Sequence, residues 1–455
     1  MSHPVRYIAI LISTLLLLAS CSPAIDVQPV PLVIDGKLDL RHWDGQALVP
    51  VAGSVKYQKL TPANANLAQT WQGEFDSTWQ TLELPGDWQN LFKGDKGCYL
   101  IGLQIQVNPA QRDLAVYVKS SAEAYQLYTN RAMLLSSGQP ALSREATRTY
   151  RTAQFETLQP AEDGHLNIAW QLATFHQNSL PPATAIPLLG KYTEIRNLYF
   201  REMIYSIIGQ SIVLIFALYF LFLWLMLKQE KKILFLAAIF FMALLRLIST
   251  SNYWSLLLNF RVEYEWMAKT EYIVSLFAWI FYLFYLKALF PQRFRTKVRY
   301  LYYLAVLPYI LVVLFTQHHI YSEMATVINV FLILGNILIV YWALTILQAD
   351  KTLTYKLEVG SILFLCCGII AGTSISMINT HTDYSIPHGE LFFIFPIVTF
   401  CLAQLLLLSY NVKSTFQLNE QLKQNLEIKV ADRTRKLESA MRRLEEAVRV
   451  TDFRA

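Results

Sequence analysis

The sequence is poor in charge, glycine and cysteine. Asp, Glu, Lys and Arg make up 16% of its 455 residues, against ~25% in soluble domains. That excludes a single soluble globule. It also excludes a disordered chain, which needs high charge and low hydrophobicity. Glycine numbers 17, about half the usual ~7%, which argues against collagen-like, linker-rich or phosphate-loop-rich organisation. The five cysteines are Cys21, Cys98, Cys366, Cys367 and Cys401, and they form no CxxC pair and no Cys/His cluster at metal spacing. Cys366, Cys367 and Cys401 sit in apolar runs, where a thiol packs as a small hydrophobe. Once Cys21 is accounted for, only Cys98 is left outside the apolar runs, so no disulfide framework is expected. Catalytic motifs are missing as well: there is no GxxxxGK[ST], no GxGxxG after a strand, no HExxH and no GxSxG. The expectation is a chain with no catalytic domain, no cofactor, no metal and, at a modest net charge of +6, no nucleic-acid partner.

What is abundant is apolar. Hydrophobic residues make up 54% of the chain and its mean hydropathy is +0.32, so an integral membrane protein is expected. Residues 1–20 have a short basic start (His3, Arg6), an apolar run to Leu18, and then Ala19-Ser20-Cys21. A core this short, followed by small residues, reads as an export signal rather than a spanning helix. Leu18-Ala19-Ser20-Cys21 also resembles a bacterial lipoprotein signal, with Cys21 the lipidated first residue. Ordinary signal-peptidase cleavage nearby is the alternative, and both routes export the chain beyond Cys21.

Residues 22–198 read as an exported β-domain. Alternating runs such as Leu114-Ala115-Val116-Tyr117-Val118, Ala124-Tyr125-Gln126-Leu127-Tyr128 and Leu166-Asn167-Ile168-Ala169-Trp170 are separated by turn signals. Among the signals are Asp35-Gly36, Pro85-Gly86-Asp87 and Ser137-Gly138-Gln139-Pro140. Short strands without helical periodicity favour an antiparallel sandwich or jelly roll. Trp43, Trp71, Trp79, Trp88 and Trp170 read mainly as core anchors, Trp79 and Trp88 above all because they flank the Pro-Gly turn; one or two of the five could line a ligand groove.

Residues 199–410 carry seven apolar stretches, at 204–227, 233–250, 267–290, 300–315, 324–347, 359–378 and 391–409. Most approach the ~20 residues that cross a bilayer as helix. Lys228, Lys231 and Lys232, then Arg293, Arg295, Lys297 and Arg299, then Lys351 and Lys356 fall in the odd loops, whereas the even loops carry Arg261 with several carboxylates. Positive charge marks the cytoplasmic side, so the β-domain is expected in the periplasm and the carboxyl end in the cytoplasm. The export signal implies the same orientation independently.

Few polar residues interrupt the spans: Arg246, Glu271, Lys287, Asn336 and Gln404. Intramembrane ionisable groups are functional candidates with a partner to be named. Arg246, near the outer end of the second span, and Glu271, near the outer end of the third, are expected to form an ion pair; the alternative has Glu271 facing Lys269 or water and Arg246 snorkelling. Lys287 reads as a snorkelling anchor. None of the eight histidines falls in a cytoplasmic segment, which leaves no inner phosphoacceptor. The loop His381–Glu390, with His381, Asp383, His388 and Glu390, could bind a metal or sense pH, although a solvated loop is the default.

The tail, 411–455, is polar with helical spacing. Val430, Leu437 and Leu444 form one seven-residue series, and Thr434, Met441 and Val448 another. Offsets of four and three between the series are those of the a and d positions of a coiled coil. Leu418, Leu422, Leu426 and Val430 step by four, a stutter entering the regular part. A membrane-surface amphipathic helix is the alternative to a parallel dimer.

Taken in order, these features resemble the bacterial seven-transmembrane receptors with diverse intracellular signalling modules, over essentially the whole chain. Trp79-Gln80-Thr81-Leu82-Glu83-Leu84-Pro85-Gly86-Asp87-Trp88 is similar to the family's V-P-G-x-W strand and turn. Tyr125-Gln126-Leu127-Tyr128-Thr129-Asn130-Arg131, followed by Gly138, resembles its Y-x-L-Y-V-N-G hairpin, with Arg131 in place of the glycine. Leu244-Leu245-Arg246, Glu271-Tyr272 and Leu289-Phe290-Pro291 look like family features of the membrane domain, and the segment from Leu426 to Leu437 is similar to linkers that precede output domains. The resemblance implies an outer jelly roll, related to carbohydrate-binding modules, that detects a small or carbohydrate-like ligand. Seven helices would then pass the event to an inner effector. In the family that effector is often a diguanylate cyclase or a histidine kinase. Here Thr451-Asp452 matches the opening of a cyclase domain and the sequence then departs, so either an output module is missing or a cytoplasmic partner reads the coiled coil. A membrane transporter or channel with a periplasmic accessory domain is the alternative. The expected partners are the outer ligand, membrane lipid, a second copy through the tail and a cytoplasmic signalling protein.

Overall fold

A computed structural model describes residues 30–45, 47–87, 96–111, 113–120, 124–176, 186–228, 230–254, 262–291, 296–349, 353–381 and 391–452. Cys21, Trp88 and the loop 382–390 lie outside them. Two compact units divide the chain: one ends at Ser206 and adds Ser249–Lys269, and the other comprises Ile207–Ile248 and the chain from Thr270.

The first unit holds two sheets built from β1 (Lys37–Leu40), β2 (Val49–Pro50), β3 (Gly53–Lys59), β4 (Gln80–Leu84), β5 (Cys98–Val107), β6 (Leu114–Ser120), β7 (Ala124–Thr129), β8 (Ala132–Ser137), β9 (Thr152–Leu158), β10 (His165–Ala173) and β11 (Leu188–Lys191). The larger sheet runs β4-β3-β5-β10-β7-β8 with β1 alongside β5, and the smaller runs β2-β11-β6-β9. The named strands pair antiparallel except β1, which lies parallel to β5 with Leu38 opposite Ile105. β5 and β10 are central and read as nearly continuous apolar runs, because both of their faces are covered. One core joins the sheets: Ile101, Leu103 and Ile105 of β5, Ile168 and Trp170 of β10, and Leu114, Val116 and Val118 of β6. A second, smaller core covers the other face of the larger sheet. There the rings of Trp71, Phe75 and Trp79 meet at centroid distances of 5.1–5.5 Å. They lie so close over Gly102 that a Cβ there would come within 2.8 Å of Phe75.

Seven helices are described from residue 192 onward: α1 (Tyr192–Met226), α2 (Lys231–Thr250), α3 (Tyr264–Leu289), α4 (Thr296–Phe315), α5 (His318–Ala349), α6 (Leu353–His381) and α7 (Leu391–Asp452). Among the described residues six of them, all but α4, are long and apolar enough to cross a bilayer; α4 adds the shorter apolar stretch Val306–Phe315. The chain is thus a multi-pass membrane protein with a β-sheet domain. In the second unit, Phe220, Phe240, Tyr285, Leu286, Ile339, Ile362 and Phe400 form the helix core. Gly368 of α6 sits against Pro396 of α7 so tightly that no Cβ fits between them.

Two helices differ from the apolar stretches read in the sequence. α1 begins twelve residues before its apolar run, because Tyr192, Ile195, Tyr199 and Met203 form one helical face that packs on the smaller sheet. α7 does not stop where its apolar run stops. It continues through the polar tail as a single helix of 62 residues, since neither glycine nor proline interrupts it after Pro396.

Candidate functional site

Alternation along β6 sends Leu114, Val116 and Val118 into the sandwich core and turns Ala115, Tyr117 and Lys119 outward. The start of α1 covers that outer face, and its spacing of three to four residues aligns Ile195, Tyr199 and Glu202 over it. One carboxylate oxygen of Glu202 accepts hydrogen bonds from Tyr117 (2.9 Å) and Tyr253 (2.8 Å) and faces Lys119 Nζ at 3.4 Å. Burial and the Glu202 charge push both phenols well above the ordinary tyrosine range, so each remains a protonated donor. Three further contacts tie the residues flanking 255–261 to the β8–β9 connection: Arg151 donates to the Ser249 carbonyl at 2.7 Å, Arg148 pairs with Glu263 at 2.6 Å, and the Tyr264 amide donates to the Thr149 carbonyl at 3.0 Å. The sequence reading missed this cluster. Its two halves are visible locally as a strand alternation and a helical spacing, but nothing local says that they meet.

In the second unit, Arg246 of α2 and Glu271 of α3 line one cavity of about 260 Å³. The two residues singled out in the sequence are thus brought to a common wall. Trp279 and Tyr282 of α3 continue it, and Asn329, Thr373 and Phe400 close it from α5, α6 and α7. Beside the cavity runs a buried hydrogen-bond chain. Tyr285 donates to Gln404 Oε1 at 2.9 Å, Gln404 Nε2 donates to Ser361 Oγ at 3.0 Å, and Ser361 donates to the Glu358 carbonyl at 2.8 Å. Gln404 therefore joins α3, α7 and α6. Asn336 is fully buried and donates within α5 to Leu332, and Lys287 donates to the Pro291 carbonyl beyond the end of α3. Gln210 of α1, also buried, donates to the Leu247 carbonyl of α2 at 3.2 Å.

Of the outer tryptophans, Trp71, Trp79 and Trp170 are buried, and Trp43 packs on the main core with its indole N–H on the Ala47 carbonyl. Among the described residues no group of three or more His, Cys, Asp and Glu is arranged to hold a metal. Along α7 the stripe is bare: Val430, Leu437 and Met441 are 57–65% exposed, and Thr434 bonds back to the Val430 carbonyl. Leu444 and Val448 lie further along the same helix.

No family model matches the chain, and no curated protein matches it. Solved structures similar to it include three β-glucuronidases. The enzyme of an uncultured Clostridium sp. is 9% identical with a TM-score of 0.24, covering 32% of this chain and 29% of that one. The Ruminococcus gnavus enzyme with D-glucaro 1,5-lactone is 8% identical with a TM-score of 0.24, covering 34% and 31%. The Dictyoglomus thermophilum enzyme is 9% identical with a TM-score of 0.20, covering 30% and 22%. This chain spans under a third of the length of each enzyme, and likeness at this level bears on no activity.

Proposed function

We propose that the protein is a transmembrane signalling receptor of the cytoplasmic membrane. An exported jelly-roll domain senses a small, carbohydrate-like ligand in the periplasm, seven spans carry the event, and a coiled-coil dimer of the tail presents it to a cytoplasmic partner or output module. The chain itself performs no catalysis in this reading. The observation that carries it is α7, which is packed in the helix core at Phe400 and Cys401 and continues without a break to Asp452. At ~1.5 Å per residue such a rod transmits rotation, tilt or axial shift from one end to the other. Its bare apolar stripe is what a second helix would cover. Switching requires that the ligand bind two states with different affinity. The transporter reading finds less support, because few polar residues interrupt the spans.

The test removes residues 411–455 and leaves the spans in place. We expect the truncated chain to reach the membrane at normal abundance and to keep ligand binding while losing signalling output. A truncated chain that keeps the full response would overturn the proposal.

A further inference from the structure

We propose that the cavity of the helix unit binds a small, flat, uncharged aromatic molecule of two fused rings, the chemistry of an indole or a naphthol. The inference rests on the cavity alone, and it would stand equally for a receptor or a transporter. Every helix from α2 to α7 contributes to the wall, so the space is a feature of the assembled bundle and not a groove between two neighbours. Size sets the first limit. An apolar cavity of about 150 Å³ holds one benzene. At about 260 Å³ this one has room for a second fused ring, and it falls short of the ~300 Å³ at which pockets for drug-sized ligands begin.

Charge sets the second limit. Arg246 and Glu271 stand on the wall, and each already has a partner within the chain. A charged occupant would bring a charge that nothing spare can match, and an unmatched charge away from water is costly. To gain a counter-ion it would have to break an existing contact of Arg246 or Glu271. A neutral occupant leaves both as they are. Asn329 of α5 and Thr373 of α6 line the same space and carry neutral hydrogen-bonding groups, which suit a single N–H or O–H on the rim of a ring.

Shape follows from the aromatic part of the wall, where Phe240 of α2, Trp279 and Tyr282 of α3 and Phe400 of α7 line the cavity. Each is held by another ring. Phe240 stacks on Phe220 at 5.4 Å, Phe400 meets Tyr285 edge-on at 6.1 Å, and Trp279 and Tyr282 meet edge to face at 5.8 Å. The Tyr282 hydroxyl lies 3.3 Å from Cys366 Sγ, so its polar end is engaged and its ring counts as apolar wall. Rings attract a further ring by more than the area it buries, a gain that an aliphatic chain of equal size does not make.

The probe is tritiated indole, and the protein is the full chain in phosphatidylglycerol nanodiscs. A saturable component is expected above the linear partition of indole into lipid. The neutral 1-naphthol should compete for it, whereas tryptamine and indole-3-acetate, the same ring with a positive or a negative charge, should compete at least ~10-fold less well. Ala278 lines the cavity, so Ala278→Trp should fill it and abolish the saturable component while the particle stays monodisperse. Purely linear uptake up to about 1 mM indole would overturn the proposal. So would competition by tryptamine or indole-3-acetate as strong as that by 1-naphthol, a result that needs no variant to fold. Full saturable binding in a monodisperse Ala278→Trp particle would place the indole elsewhere and equally overturn it. A lipid that native mass spectrometry finds on the wild-type chain, absent from Ala278→Trp and not displaced by indole, would identify an acyl chain as the occupant and overturn it too.

Discussion

The hairpin between β7 and β8 turns at Asn130 and Arg131, with φ of 48° and 72°. A two-residue turn of this hand needs positive φ at both positions. Asparagine tolerates that conformation, whereas arginine pays about 1–2 kcal/mol for its Cβ pressing on the following carbonyl oxygen. Arg131→Gly should therefore raise the stability of the intact chain by about 0.5–1 kcal/mol, the steric gain less the added freedom of the unfolded glycine. A denaturation midpoint that stays level or falls would contradict this. A second residue sets a pH limit. His176 is held below the ordinary imidazole pKa, first by burial and then by the Arg144 charge. Below pH ~6.5 the unfolded chain takes up a proton at this position that the folded chain still excludes. Its contribution is thus complete above that pH and is lost as the pH falls toward the depressed value. His176→Gln should flatten the drop in midpoint between pH 7.5 and 5.5; equal drops in the two proteins would refute the assignment.

Among elements, the described residues on either side of 255–261 are held by side chains of the β-domain. Arg151 bonds the Ser249 carbonyl and lies 5.4 Å over the Tyr264 ring, so one buried cation contacts both the end of α2 and the start of α3. Arg151→Ala removes a charged hydrogen bond of about 1.5–3 kcal/mol. Amides at 251–254 should then exchange with deuterium at least ~10-fold faster, while those of β6 stay unchanged. Equal exchange at 251–254 would show that the segment holds its shape without Arg151. Strand positions were legible in the sequence for a related reason: Leu114–Val118, Ala124–Tyr128 and Leu166–Trp170 alternate or saturate in apolar residues, and each lies within a strand. The parallel partner of β5 was not legible, because pairing direction depends on where the chain returns.

For the whole molecule, the tail decides whether two copies act together. The exposed stripe of α7 places Leu437 on the expected seam and Ser439 off it. In membranes of cells carrying single cysteines, Leu437→Cys should cross-link to a covalent dimer under mild oxidant and Ser439→Cys should not. Equal cross-linking at the two positions, or none at Leu437→Cys, would exclude a parallel coiled coil in this register.

The sequence by itself determined the division into a strand-rich part and a helix-rich part, the approximate place of each apolar helix and the seven-residue spacing of the tail. These depend on local periodicity and on long apolar runs, which need no knowledge of distant neighbours. It also marked Arg246, Glu271 and Gln404, because a polar side chain in an apolar run is conspicuous. Only the tertiary structure decided what those residues face: a shared cavity for Arg246 and Glu271, and a hydrogen-bond chain across α3, α6 and α7 for Gln404. It alone placed Glu202 under two tyrosines, since Tyr117, Glu202 and Tyr253 are far apart in the chain and no local pattern fixes which surfaces meet. It also extended α1 backward and α7 forward beyond their apolar limits. A helix ends where hydrogen bonding or packing ends, and neither stops where hydrophobicity does.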